Sequence, residues 1–242
     1  MACAVGRHRV LGMIKAGGAG GGTAHAVADL SLFPPSGSVS TLYDRPPASF
    51  KRLTVEEVHE LKTILSTKWQ LHHRLRLETL LSGDQTEWIG IRKPTKESTI
   101  LTSAPTPGGS ASFSDARPAL VVSSTSWTED EDFSLLLDAA RKYDIQARGQ
   151  PCAGAPLLPP LLIVITGKGP LKEHYDGLIR QMRLVHVRIL TAWLAIADYP
   201  KLLGSADLGV SLHRSSSGLD LPMKVVDMLG CGLPVCAVKF EW

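Results

Sequence analysis

Between residues 117 and 238 short apolar runs alternate with stretches of helical spacing. Residues 119–123 are apolar and partly β-branched, which predicts a strand. Residues 130–142 carry acidic side chains first and Arg141-Lys142 last, the charge order that suits a helix macrodipole. Residues 143–160 read as a loop, and 161–166 as a second strand, apolar on both faces. A turn at 167–170 leads to a helix over 171–182 and a strand over 185–190. A short helix over 199–205, a strand over 207–212, a helix over 222–229 opened by Pro222, and a strand over 233–238 complete the series. Strands separated by helices imply parallel pairing and a sheet covered on both sides. The expected fold class is therefore a doubly wound α/β, Rossmann-like domain over 117–242.

The preceding residues are of a different kind. Residues 1–41 are rich in Gly, Ala and Ser around the run Gly17 to Gly22, and disorder is expected there. Residues 42–93 contain a helical segment. Thr54 and Glu57 have capping-box spacing, and Val55, Val58, Leu61, Ile64 and Leu65 then recur on one helical face. Pro, Gly, Ser and Thr make 94–116 read as a linker.

Composition narrows the function classes. The chain has 242 residues and a net charge of +3, with no long basic run, so nucleic-acid binding has no support. Cys3, Cys152, Cys231 and Cys236 form no CxxC pair, and buried free thiols are expected. His72 and His73 have no partners at metal-ligand spacing, so no metal site is expected. No apolar run is long enough to span a membrane, and no secretory signal is evident. The expected cofactor list is empty.

Ligands of an open parallel sheet bind beyond the carboxyl ends of its strands. The candidate loops are thus 123–130, 166–170, 191–193 and 213–220. In the last, three serines and Gly218 lead into a helix N-terminus, whose free N–H groups and dipole suit a phosphate. Lys224 lies in the first turn, where a cation opposes the dipole, which suggests an anion nearby. Asp227 shares its helix face and could accept hydrogen bonds from a ribose. The same residues also fit a Ser-rich cap on an ordinary helix, with Lys224 and Asp227 as a surface ion pair. Gly167-Lys168-Gly169 is neither a P-loop nor a full Rossmann glycine set, and by itself reads as a turn. Trp127 and Trp193 suit either a nucleobase or the core. Glu129, Asp130, Glu131 and Asp132 read as helix-start charges before metal ligands. Glu129 and Asp132 would be an acid/base pair only in a pocket that buries them.

These segments resemble the glycosyltransferases of the GT-B fold. Residues 204–212 are similar to the segment that carries their "aD" strand, and 221–235 to their "lP.K..E.ma.G.PV" segment. Residues 123–133, 165–170 and 215–222 resemble more narrowly the chitobiosyldiphosphodolichol beta-mannosyltransferases, as does the local stretch 42–50. The resemblance is strong over 117–238 and absent over 1–41. It implies transfer of mannose from GDP-mannose to dolichol-diphosphate-linked chitobiose on the cytosolic face of the endoplasmic reticulum membrane. The acceptor would be a lipid-linked oligosaccharide, and other glycosyltransferases of the same pathway would be partners. A β product implies inversion, which needs a general base and stabilisation of the departing diphosphate. Carried over by position, Asp227 would hold the ribose. Ser216, Ser217, Gly218 and Leu219 would offer N–H groups to the diphosphate, and Lys224 would add charge. Lys168 would reach the nucleotide, with Gly167 and Gly169 letting the backbone approach it. No residue is assigned as the catalytic base. The resemblance leads to the expectation that the family's membrane-anchored N-terminal domain and its closing helices are without a counterpart here. The expectation is therefore an incomplete GT-B C-terminal domain with little activity alone, cytosolic unless the anchor is replaced. The alternative is a non-catalytic module that binds a GDP-sugar or a partner.

Overall fold

The computed structural model describes residues 45–61, 98–104, 109–115, 117–149, 158–214 and 222–239. The expectations for 1–41 and for His72 and His73 lie outside them, as do Cys3 and Cys152.

Five parallel strands form the main sheet: β3 (Ala119–Ser124), β4 (Leu161–Thr166), β5 (Val187–Ala192), β6 (Leu208–Ser211) and β7 (Val235–Ala237). Their spatial order is β5-β4-β3-β6-β7. Pairing runs in register from Ala119 opposite Leu161 to Ser124 opposite Thr166, and from Leu161 opposite Val187 to Thr166 opposite Ala192. The α/β expectation is met, with strands and helices where the alternation placed them. Boundaries shift by a few residues. The helix expected over 130–142 is α2 (Ser134–Arg148), because the Asp132 side chain accepts from the Ser134 N–H at 3.0 Å and Ser134 Oγ at 2.6 Å. The acidic run before it is therefore loop, not first turn. The remaining helices are α3 (Lys172–Gln181), α4 (Tyr199–Ser205) and α5 (Met223–Gly230).

One face of the sheet is covered by α2 and α3. Val121, Ile163, Ile165, Val187 and Val210 meet Phe133, Leu136, Leu137 and Tyr175 there. Each such side chain, fully buried, contributes about 1.5–3 kcal/mol. The other face carries Leu120, Val122, Leu162 and Val164 against Leu202 and Leu203 of α4 and Met228 of α5. Alternate strand residues thus serve opposite faces, as the period of two requires.

Earlier residues complete that second face. The capping box at Thr54 is formed: its side chain accepts from the Glu57 N–H, and the Glu57 carboxylate accepts from the Thr54 N–H at 2.9 Å. It starts α1 (Val55–Glu60), whose Val58 enters the core. Leu53 N–H donates to Gly204 O at 3.0 Å, and Pro46 and Phe50 lie against Gly230. The stretch read as a linker holds two short antiparallel strands, β1 (Thr102–Ser103) and β2 (Ser112–Phe113). Leu101, beside β1, is 2% exposed in the same core.

At the amino end of the sheet Arg117 grips Asp207 through two nitrogens at 2.7 and 2.8 Å, and the Leu120 N–H donates to the same carboxylate at 2.8 Å. This fastens β3 to β6 opposite the end where ligands are expected.

Candidate functional site

The chain leaves β3 through α2 toward β4, on one side, and leaves β6 through α5 toward β7, on the other. Adjacent strands whose connections diverge open a crevice at their carboxyl ends, the place where open α/β sheets bind ligands. Here that crevice lies between residues 124–131 and the residues that follow β6.

Its centre is a buried carboxylate. Glu131 is 2% exposed. Its Oε2 accepts from Thr125 Oγ1 and from the Ser126 N–H at 2.8 Å. Its Oε1 accepts from Lys224 Nζ at 2.6 Å. A buried carboxylate without such donors would cost several kcal/mol. The partner of Lys224 is thus Glu131 across the crevice, not Asp227 on its own helix, and the surface ion-pair reading is replaced. The run of four acidic residues divides accordingly. Glu129, Asp130 and Asp132 are exposed, which removes the burial that an acid/base role for Glu129 and Asp132 required. Asp130 pairs with His213 Nδ1 at 2.9 Å.

Asp227 is half-buried, and burial raises its carboxyl above the ordinary value. No described residue donates a hydrogen bond to it. Its charge acts on Tyr199, whose hydroxyl burial pushes up to about 12 and which hydrogen-bonds Ser124 Oγ at 2.9 Å. It acts also on Cys231, pushed by burial up to about 11. Phe50 packs edge-on against Tyr199, ring centroids 5.8 Å apart. Cys231 is buried as expected, but Cys236, on β7 at the edge of the sheet, is exposed.

The glycine turn after β4 packs closely against the loop after β3. Gly167 has φ 150°, and a Cβ there would sit 1.8 Å from Thr125 O. A Cβ on Gly169 would sit 1.7 Å from Ser126 O. Both glycines admit the neighbouring loop's backbone on that side, so their absent side chains are explained without a ligand. Trp127 is in the core: it has φ 52°, is fully buried against Phe133 and Tyr175, and donates from Nε1 to Gly167 O at 3.2 Å. Trp193 is 50% exposed, and Lys168 Nζ lies 4.3 Å above its ring. Of the candidate residues, Lys224 and Asp227 share α5 beside the crevice, and Gly167, Lys168 and Gly169 line the next loop. Ser216, Ser217, Gly218 and Leu219 lie outside the described residues. Glu131 was missed as a site residue; only the lysine 93 positions away distinguishes it from its acidic neighbours.

No protein-family model matches the chain. A chitobiosyldiphosphodolichol beta-mannosyltransferase from Mus musculus is 50% identical over 201 residues, 83% of this chain and 38% of that protein. The UDP-glycosyltransferase TURAN of Arabidopsis thaliana is 47% identical over 208 residues, 83% of this chain and 43% of that protein. A chitobiosyldiphosphodolichol beta-mannosyltransferase from Dictyostelium discoideum is 40% identical over 216 residues, 85% of this chain and 39% of that protein. Among solved structures, the catalytic domain of cholesterol-alpha-glucosyltransferase from Helicobacter pylori matches 38% of this chain and 49% of its own at 16% identity and a TM-score of 0.27, too slight a likeness to carry an argument. The chain spans about two fifths of the length of the curated relatives it matches. Over that portion it is a sequence relative of the chitobiosyldiphosphodolichol beta-mannosyltransferases.

Proposed function

We propose that this chain supplies the donor-binding side of a mannosyltransferase, taking GDP-mannose in the crevice between β3 and β6. The observation that carries the reading is the crevice itself, at the divergence of β3 and β6, with the Lys224 ammonium and the Asp227 carboxylate both brought to it by α5. Lys224 uses one of its three N–H donors on Glu131, which leaves two for the diphosphate. The Asp227 carboxylate has no hydrogen bond from any described residue and suits the ribose hydroxyls. Residues 216–219 are assigned to the diphosphate through their backbone N–H groups. Lys168, above Trp193 at the end of the neighbouring strand, extends the positive side of the site. In the reaction these groups stabilise the charge that develops on the departing GDP, and an inverting transfer gives the β-linked product.

The relatives' printed names support dolichol-diphosphate-linked chitobiose as acceptor. The cytosolic face of the endoplasmic reticulum membrane and contact with other transferases of the same route complete the proposal. Among the described residues no helix is long and apolar enough to cross a membrane. Calorimetric titration of the purified chain with GDP and GDP-mannose tests the donor site: saturable binding of both is expected, and no heat with either would end the reading. Incubation with GDP-mannose and a lipid-linked chitobiose, with product read by mass, tests transfer separately from binding.

A further inference from the structure

Two contacts meet on one residue of the β3–α2 loop. The backbone of Glu131 bridges that of His213, just after β6, and the Arg214 N–H donates to Asp130 O at 3.1 Å. The side chain of Glu131 holds Lys224, in the first turn of α5. Both stems of the chain between β6 and α5 are therefore fixed to the same point, and that point is itself fixed to β3 through Thr125 and Ser126. Lys224 retains 28% of its side-chain exposure while Glu131 keeps 2%. The lysine side chain is thus partly accessible, whereas the carboxylate that aims it is closed to solvent and to any ligand.

We propose that Glu131 is a positioning residue for the diphosphate: it acts through Lys224, holding the ammonium at one place in the crevice before the ligand arrives. The proposal rests on the donor-site reading above. An unpinned lysine gives up several rotamers when it meets an anion, and pinning removes that cost in advance. A buried anion beside the crevice would otherwise repel a diphosphate. Glu131 is excused from this because its charge is matched by Lys224 at 2.6 Å and by two further donors. Its effect should be confined to ligands that carry phosphate, since its side chain acts on the crevice through the Lys224 ammonium.

The test compares GDP with guanosine in calorimetric titrations of the full chain. Glu131→Gln keeps the shape and the bonds from Thr125 and Ser126 but releases Lys224. It should weaken GDP about tenfold, the order of one charge-assisted hydrogen bond, and change guanosine by less than about twofold. In a Lys224→Met background the same substitution should add less than about twofold to the loss, because the two residues act as one unit. Equal losses for GDP and guanosine, or losses that add across the two substitutions, would mean a structural role only and overturn the proposal. Unchanged GDP affinity in Glu131→Gln would do so as well. Should Glu131→Gln not fold, Thr125→Val loosens the carboxylate while keeping its charge, and a GDP-selective loss of about threefold is expected. A Thr125→Val chain that binds GDP as the parent does would then reject the idea. If the parent chain binds guanosine but not GDP, or neither, the donor-site reading itself fails, and this proposal with it.

Discussion

The two faces of the sheet are covered by different means. On one, the cover is α2 and α3, the helices that join β3 to β4 and β4 to β5, and every buried residue of that core comes from 121–212. On the other, α4 and α5 are joined by Val58 and Leu101 and by partly buried Phe50, Leu53 and Ile100. The first face is assembled from neighbouring βα units. The second needs chain that is remote in sequence, so its closure carries more loop entropy before any contact is made. The crevice between β3 and β6 opens between the two, and α5, which brings Lys224 and Asp227, belongs to the face that depends on the remote residues.

The largest effect should come from the locally built face. Trp127→Ala removes the indole that Phe133 and Tyr175 pack against and should cost about 4 kcal/mol, read as a fall in the midpoint of urea unfolding. Leu101→Ala should cost about 3 kcal/mol, and this sharpens the comparison most. A loss near zero would mean that the second face closes without the remote residues. Asp207→Asn tests the junction between the strands. It should cost about 2 kcal/mol near neutral pH, because Arg117 loses a partner that is half out of water. Burial pushes the Asp207 carboxyl up, but Arg117 and the Leu120 N–H outweigh it, so its folded pKa lies below the ordinary 3.8. Such a group stabilises the fold fully above its unfolded value, and the contribution is lost as pH falls from there through the folded value. Parent and variant should therefore converge in stability as pH falls below 3.8, measured by thermal melts across pH. The smallest effect is Thr54→Ala, about 1 kcal/mol, from one lost cap on α1.

The same contrast explains what could be read from the sequence. β4 is legible to the residue because 161–166 is apolar on both faces and bounded by Pro160 and Gly167. The Thr54 cap is legible because both of its partners lie within three residues. Leu101 was not, since the apolar pair Ile100-Leu101 is set among Ser, Thr and Pro with no helical or strand period, and its burial depends on a core assembled elsewhere. Within the crevice, the helix face of Lys224 and Asp227 followed from spacing, whereas the partner of Lys224 did not. Spacing favoured Asp227, three positions away, and the sheet topology instead delivered Glu131. The glycines after β4 were legible as a turn, whereas the carbonyls of the adjacent loop that they admit were not.

That last seam has a practical meaning for anyone exchanging these loops. With Thr125 O and Ser126 O lying where the side chains of residues 167 and 169 would be, the two turns form one transplantable block. A graft that replaces 124–131 alone inherits a gap shaped for its old neighbour. A graft that replaces 166–170 alone fails wherever the incoming turn brings a Cβ to either position. Moved together, with Lys224 retained as the counterion of Glu131, the block carries its own fit with it.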